Sequence, residues 1–144
     1  IGFAPDRFGA LLAGMIRSGD VFRSEVLGGL DGVHVLEPVD ANIVCFSLGA
    51  PGEALSAANR RTRALYGALC EAGDFVVTTT TLGSVNHRSQ IARHIARFDG
   101  EADEARLVLI RCVFMNPYWA SDAIRDAMVP QFAVTIRQAL ATLD

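Results

Sequence analysis

The first third of the chain carries a helical hydrophobic pattern followed by a glycine-rich break. From Phe8 to Ile16 the apolar residues recur at intervals of three and four, which predicts an amphipathic helix that ends near Ser18-Gly19. A second short apolar helix or turn follows. Glycines then punctuate the chain around Leu30-Asp31, and we place the internal boundary there. The prediction is a linking helical segment over residues 1-30 and a small α+β domain over residues 31-144.

The middle of the chain predicts two strands and one long helix. Val33-Leu36 has the pattern of a short strand that Pro38 ends, and Ile43-Leu48 is a nearly continuous apolar run, typical of a strand buried on both faces. Between Leu55 and Leu69 the apolar side chains step by three and four, which is the clearest helical pattern in the sequence. Gly73 is the predicted C-cap of this helix.

The second half of the chain predicts two further strands separated by a helix. Phe75-Leu82 is rich in β-branched residues and is therefore strand-like. Val85-Phe98 has apolar residues at helical spacing. Leu107-Met115 is the most hydrophobic run of the sequence, so we expect it to be a central strand.

The C-terminal segment completes the predicted fold. Ser121-Leu143 is helical, with Ser121 placed to cap the helix and Pro130 expected to kink or divide it. The resulting order is helix, two strands, long helix, strand, helix, strand, long helix. Strands packed on one side by helices make a compact α+β layer.

Composition and charge exclude several classes of protein. With 144 residues, 51% hydrophobic content and a net charge of -3, the chain is expected to be one globular domain rather than disordered or collagen-like. It has no long basic run, so we expect no nucleic-acid partner. No apolar run is long enough to span a membrane, and no signal peptide is visible. The three cysteines, Cys45, Cys70 and Cys112, predict buried reduced thiols in a cytoplasmic protein.

All thirteen basic residues are arginines, since the sequence contains no lysine. This chain alone therefore cannot form a lysine Schiff base, carry a P-loop lysine or use a lysine as general base. The first residue is Ile1 rather than Met, so we expect a processed or partial chain.

Arg111 interrupts the most hydrophobic run at its centre. A guanidinium in a buried strand needs an anionic partner, because an unpaired buried charge is strongly unfavourable. One candidate is a protein carboxylate such as Glu37, Asp74 or Glu104. The other is a ligand carboxylate or phosphate held by the bidentate guanidinium. Periodicity alone favours the protein carboxylate.

Hydroxyl and aromatic side chains near the predicted strand ends are candidates for a pocket wall. The hydroxyls of Thr78-Thr81 either line a pocket or, as the β-branched pattern favours, fill a half-buried strand. Thr81 is the pocket candidate of this group. Tyr118 and Trp119 follow the strand that Asn116-Pro117 ends, and they either wall a ligand site, bury into a partner surface or pack within the fold.

The three histidines give no metal site. His87 and His94 are seven residues apart on a predicted helix, but no third ligand is spaced to complete a zinc set, so both are expected to be solvated. His34 lies in an apolar strand and is expected to be a packing residue rather than a base. No nucleophile, base and orienting residue can be assembled from the sequence order.

Five short motifs follow one another in an order that matches one known family. They are Asn42-Phe46, Asn59-Arg60-Arg61 in a helix ending at Glu71-Ala72-Gly73, Phe75-Thr78 with Thr81-Leu82-Gly83, Leu109-Ile110-Arg111, and Asn116-Pro117 before a helix. This order resembles the C-terminal small domain of the group II pyridoxal-phosphate-dependent amino acid decarboxylases, which include the glutamate, aromatic amino acid, tyrosine and diaminobutyrate decarboxylases. Residues 1-19 are similar to the helix that leads from the family's large domain into the small one.

The chain departs from the family pattern at two places. Residues 84-106 form an extra segment between the Thr-Leu-Gly strand and the arginine strand, which in the family are a few residues apart. The threonine-rich stretch after the family's Asn-Pro is replaced here by residues 118-121, Tyr-Trp-Ala-Ser.

The resemblance implies that the cofactor-binding and substrate-binding residues of such an enzyme are divided between two domains. The family's Schiff-base lysine, phosphate cradle, ring-stacking histidine and pyridine-nitrogen aspartate belong to the large domain, which would bind pyridoxal phosphate and is absent here. The small domain contributes the arginine of its Leu-Arg strand, and only Arg111 stands at that position. Its implied role is to hold the substrate carboxylate perpendicular to the cofactor ring. The implied fold is that of fold type I enzymes: a small, mainly antiparallel sheet covered by helices.

We therefore expect the C-terminal part of a pyridoxal-phosphate-dependent amino acid decarboxylase, a lyase that is inactive as this chain alone. The implied partners are an N-terminal large domain or chain, a second copy in a homodimer, and a small amino acid substrate. A first alternative is a self-contained, non-catalytic α+β binding or dimerisation module with Arg111 in a structural ion pair. A second is another enzyme of the superfamily, such as an aldehyde synthase or a lyase of the sphingosine-phosphate type. An exposed apolar patch would favour a domain that normally packs against a large domain over a self-contained module.

Overall fold

A computed structural model describes residues 4–143, which form an α+β fold, as predicted. Its α-helices are α1 (Pro5–Val21), α2 (Leu55–Ala72), α3 (Ser84–Ile95) and α4 (Asp122–Ala141). Its strands are β1 (Val33–Val35), β2 (Ile43–Leu48), β3 (Thr78–Gly83) and β4 (Arg106–Val113). A π-helical segment, Phe22–Leu27, directly follows α1, and a 3₁₀ turn, Ala96–Phe98, follows α3. None of these helices is long and apolar enough to cross a membrane.

The four strands form one antiparallel sheet in the order β1-β2-β4-β3. The most hydrophobic strand, β4, therefore has a neighbour on each side, which confirms its predicted central position. The register places Arg111 of β4 opposite Cys45 of β2 and opposite Thr78 of β3. Because side chains alternate between the two faces of a strand, the odd-numbered residues of β4 share one face with Arg111.

Helices cover both faces of the sheet, so the prediction that they pack on one side is wrong. The first face packs against α2, α4 and the π-helical segment, and its cluster includes Val44, Phe46, Ile110, Leu65 and Ile136. The second face packs against α3 and the 3₁₀ turn, and its cluster includes Leu107, Leu109, Ile91, Ile95 and Phe98. The segment 84–106 that departs from the family pattern thus supplies most of the cover on the second face.

Several predicted boundaries agree with the structure, and β3 shows why others do not. The strand β2, the helix α2 and its C-cap Gly73, which has a φ of 71°, are where the sequence predicts them. The strand β3 begins at Thr78 rather than Phe75. The ring of Phe75 instead lies 4.2 Å from that of Phe132, so Phe75, together with Val77, packs into the cluster on the first face rather than extending the strand.

The first helix continues past its predicted end at Ser18-Gly19. Ser18 is buried and its Oγ donates to the carbonyls of Gly14 and Asn116, which anchors the helix there instead of ending it. Gly19 is buried, and a Cβ added there would make ordinary van der Waals contact with Val44 at 3.5 Å. Residues 1–3, the start of the predicted linking segment, lie outside the described residues, as does Asp144.

The last helix continues through Pro130, so of the two predicted effects, a kink or a division, the division does not occur. Pro130 is exposed, and so is Asp126, whose carbonyl loses its helical donor to the proline, so water can solvate that carbonyl. Ser121 is the N-cap residue, as predicted, but its Oγ donates to the carbonyl of Tyr118 at 2.6 Å rather than accepting from the helix.

Candidate functional site

Arg111 is exposed, so the premise that its guanidinium is buried is wrong. It lies on the second face of the sheet, near the C-terminal end of β4. The cluster formed with α3 reaches Leu107 and Leu109 on the same face but leaves the end that carries Arg111 and Val113 uncovered. Arg111 therefore lies where this face of an otherwise largely buried strand meets solvent.

A reciprocal pair of hydrogen bonds ties Arg111 to Thr78 on the neighbouring strand. The Nε–H of Arg111 donates to Thr78 Oγ1 at 3.2 Å, and that hydroxyl in turn donates to the carbonyl of Arg111 at 3.3 Å. Because Nε is engaged, the two terminal nitrogens remain as parallel donors, an arrangement suited to a carboxylate. The positive charge also acts on Cys45: burial raises the pKa of that thiol, and Arg111 partly offsets the rise.

The carboxylates that the sequence offered as partners of Arg111 are engaged elsewhere. Glu37 accepts from Arg23 at 3.1 Å, Asp74 accepts from the hydroxyl of Thr135, and Glu104 accepts from Asn59 at 2.8 Å. Within residues 4–143, no carboxylate forms an ion pair with Arg111. The structural ion pair favoured by periodicity is therefore wrong.

Exposed apolar side chains adjoin Arg111. Ile43 is 39% exposed and Val113, its cross-strand partner, is 44% exposed. Val76 and Met115 are 93% and 72% exposed and line one cleft together with Val113. We call Arg111, Ile43, Val76, Val113 and Met115 the Arg111 surface. It combines a guanidinium that pairs with no carboxylate of residues 4–143 and apolar side chains that are exposed to water.

The other candidate residues do not converge on Arg111. Thr81 is exposed on β3 and lies opposite Val108, three positions along the strand from Thr78 and on the opposite face. Tyr118 is 65% exposed. Trp119, by contrast, is buried and lines the cleft that also contains Val113.

That cleft has a volume of about 300 Å³ and lies where β4 ends. We call it the aromatic cleft, because five rings line it, those of Phe22, Phe75, Phe114, Trp119 and Phe132. The ring centroids of Trp119 lie 5.4 Å from Phe114 and 5.5 Å from Phe132, both edge to face. Trp119 is therefore fixed by ring contacts that sequence order could not reveal.

His94 is buried, contrary to the prediction that it is solvated. It is 2% exposed, and its Nε2 lies 2.7 Å from the hydroxyl of Ser47, which is also buried. Burial first, and then the charges of His34 and Arg97, lower the pKa of His94 to about 4. Both side chains of the Ser47–His94 pair are buried. His34 contacts the carbonyl of Gly49 at 3.0 Å, as expected of a packing residue.

The motif residue Asn59 has a structural role that the sequence did not indicate. Its side chain is fully buried and accepts from the backbone N–H of Val108 at 2.8 Å. Its Nδ2 donates to the carbonyl of Arg106 at 2.7 Å and to Glu104. Asn59 thus joins α2 to β4 and helps to hold the strand that carries Arg111.

The cysteines are free thiols, and one differs from its predicted burial. Cys112 is buried and Cys45 partly so, but Cys70 is exposed on α2. Burial, and next the neighbouring Cys45, raise the pKa of Cys112 to about 12, so that this thiol stays protonated.

Neither a scan against protein-family models nor a search of curated proteins finds a match for this chain.

Proposed function

We propose that this chain is the C-terminal small domain of a pyridoxal-phosphate-dependent amino acid decarboxylase and that Arg111 binds the substrate carboxylate. The motif order of the sequence motivates the family. The observation that carries the proposal is the guanidinium itself, which is exposed, held by Thr78 and free of protein carboxylates in the described residues.

The surroundings of Arg111 suit a site that is completed by another domain. Exposed on an isolated domain, a guanidinium is hydrated and binds a carboxylate weakly. Once another domain covers the apolar side chains of the Arg111 surface, water is excluded and the same contact becomes stronger. The fixed Nε leaves two terminal nitrogens to orient the carboxylate in one plane.

The residues of this chain do not fit the complete binding site of pyridoxal phosphate. The sequence has no lysine to hold the cofactor covalently. We therefore assign the cofactor, its lysine and the bond-breaking chemistry to a large domain or partner chain, and to this chain only the binding and orientation of substrate. The expected assembly is a homodimer, and the three free cysteines accord with a reducing compartment such as the cytoplasm.

Steady-state kinetics of the complete enzyme test the role of Arg111. The variants are Arg111→Ala, Arg111→Lys and, as matched control, Arg106→Gln, which removes an exposed arginine at the other end of β4. We expect Arg111→Ala to lower kcat/KM for carbon dioxide release by about 100-fold or more. Arg111→Lys keeps the charge but loses the bidentate geometry, so it should recover only part of the loss.

Two outcomes would contradict the proposal. If Arg111→Ala leaves kcat/KM at the level of Arg106→Gln, Arg111 does not bind the substrate. If the isolated 144-residue chain binds pyridoxal phosphate and releases carbon dioxide from an amino acid, the assigned division between two domains is wrong.

A further inference from the structure

The aromatic cleft is open space beside a tightly packed core. Five rings border a cleft of about 300 Å³ that is open to solvent on one side, so a small molecule can enter it. The rings of the wall pack against one another: Phe22 lies 5.0 Å from Phe114 and 5.9 Å from Phe132, and both pairs belong to the buried core. The cleft therefore exists before any ligand arrives.

The polar groups of the aromatic cleft restrict the ligand class. No lining residue carries a charged side chain, so burying an ionic group there would be unfavourable. Asn116 lines the cleft, and its Oδ1 accepts from the backbone N–H of Tyr118 at 2.9 Å. Its Nδ2 is therefore left to donate to a ligand. The Cys112 thiol, which stays protonated, is a further soft and apolar part of the wall.

We propose that the aromatic cleft binds a small neutral aromatic molecule that carries a hydrogen-bond acceptor, with its ring against Trp119 and its acceptor on Asn116. Aromatic rings prefer offset or edge-to-face contact with other rings, which this wall offers from several sides. The volume lies at the lower end of the range for ligand pockets, which limits the guest to a molecule about the size of a single substituted ring. The inference uses neither Arg111 nor a cofactor. The cleft shares Val76, Val113 and Met115 with the Arg111 surface, so a domain that covers that surface would also cover the rim of the cleft.

The fluorescence of Trp119 reports on this cleft directly, because it is the single tryptophan of the chain. The probe is benzamide, titrated into the 144-residue chain at a concentration at which it is monomeric. Benzoate has the same ring with a charge, and cyclohexanecarboxamide has the same amide without the aromatic ring. We expect a saturable change with benzamide and clearly weaker binding of both analogues.

Variants locate the site. Asn116→Ala should raise the Kd for benzamide about threefold or more through loss of the donor, whereas Asn86→Ala, an exposed asparagine on α3, should leave it unchanged. Val76→Asp places a charge at the 93% exposed rim, where it cannot disturb the core, and should also weaken binding.

The absence of a saturable change with benzamide would overturn the proposal. So would equal binding of benzamide and cyclohexanecarboxamide, since the rings would then provide only nonspecific apolar contact. A Kd that neither Asn116→Ala nor Val76→Asp alters would place the binding elsewhere and overturn it as well.

Discussion

At the scale of single residues, His94 is the side chain whose charge the fold controls most clearly. Its ring is buried, and its Nδ1 has no partner among the described residues. Electrostatic interactions with His34 and Arg97 add to the effect of burial. The ring of His94 is therefore neutral near pH 7, and a proton on it would be poorly solvated and close to the Arg97 guanidinium.

The folded chain should lose stability as the pH falls. Folded His94 takes up a proton near pH 4, whereas the unfolded histidine does so near 6.5, so between these values the unfolded state binds more protons. As the pH falls through this window, the free energy of unfolding decreases by about 3 kcal/mol. Urea unfolding across this pH range measures the loss.

The matched variants for this pH test are His94→Gln and His87→Gln. His87 lies on the same helix and is only partly buried, with its Nδ1 2.7 Å from Gln90. The pH profile should flatten for His94→Gln relative to His87→Gln. Equal slopes for the two variants would show that His94 does not cause the loss.

Arg111 and His94 also show what a hydrophobic pattern cannot tell about single residues. The run 107–115 correctly predicts that β4 is central in the sheet. Whether an odd-numbered residue of that strand is covered depends on how far α3 reaches along the face, which no local pattern encodes. His94 is buried for the same reason, since its side of α3 packs onto the sheet.

At the scale of elements, the junction between α1 and the Asn116-Pro117 turn depends on a close backbone approach. A Cβ added at Gly14 would lie 2.8 Å from the carbonyl oxygen of Pro117. Ser18 on the same helix donates to the carbonyl of Asn116 at 3.2 Å. The helix is therefore held against the turn that follows β4.

Gly14→Ala should destabilise the chain by about 1–3 kcal/mol, because the backbone of the turn must move away. Gly9→Ala is the matched control on the same helix, where an added Cβ meets nothing within 4 Å. That variant should stabilise by about 0.5–1 kcal/mol, because alanine favours a helix over glycine. Urea denaturation measures both; similar effects of the two variants would mean that α1 does not pack here as described.

Elements with strong local signals could be predicted, and elements set by distant contacts could not. The helix α2 has both a clear apolar period and a C-terminal glycine, and its bounds agree with the structure. The end of α1 could not be predicted, because Ser18 and Gly19 are common helix terminators that here satisfy contacts with segments about 25 and 100 residues away. The motif order led to Arg111, whereas its partner Thr78 became evident only from the register.

At the scale of the whole molecule, the Arg111 surface is a set of exposed apolar side chains on one side of the sheet. A finished monomeric module would be expected to cover such a patch, whereas a domain that normally docks on another would leave it open. We therefore expect the isolated chain to self-associate through it.

Sedimentation velocity over a range of concentrations measures this association. The double variant Val113→Thr with Met115→Ser should shift the chain towards monomer. The matched control Val85→Thr, at a residue that is 94% exposed on α3, should not. A chain that remains monomeric at all concentrations would favour the self-contained module over a domain that normally packs against another.

We propose that this chain completes an enzyme whose pyridoxal phosphate is held by another part of the protein. The most direct measurement is to isolate the native protein that contains this chain, reduce it with borohydride to fix the cofactor, and locate the pyridoxyl group by peptide mass spectrometry. We expect a pyridoxyl-lysine outside these 144 residues, in a protein that contains this chain. A native protein that carries no pyridoxyl group would contradict it.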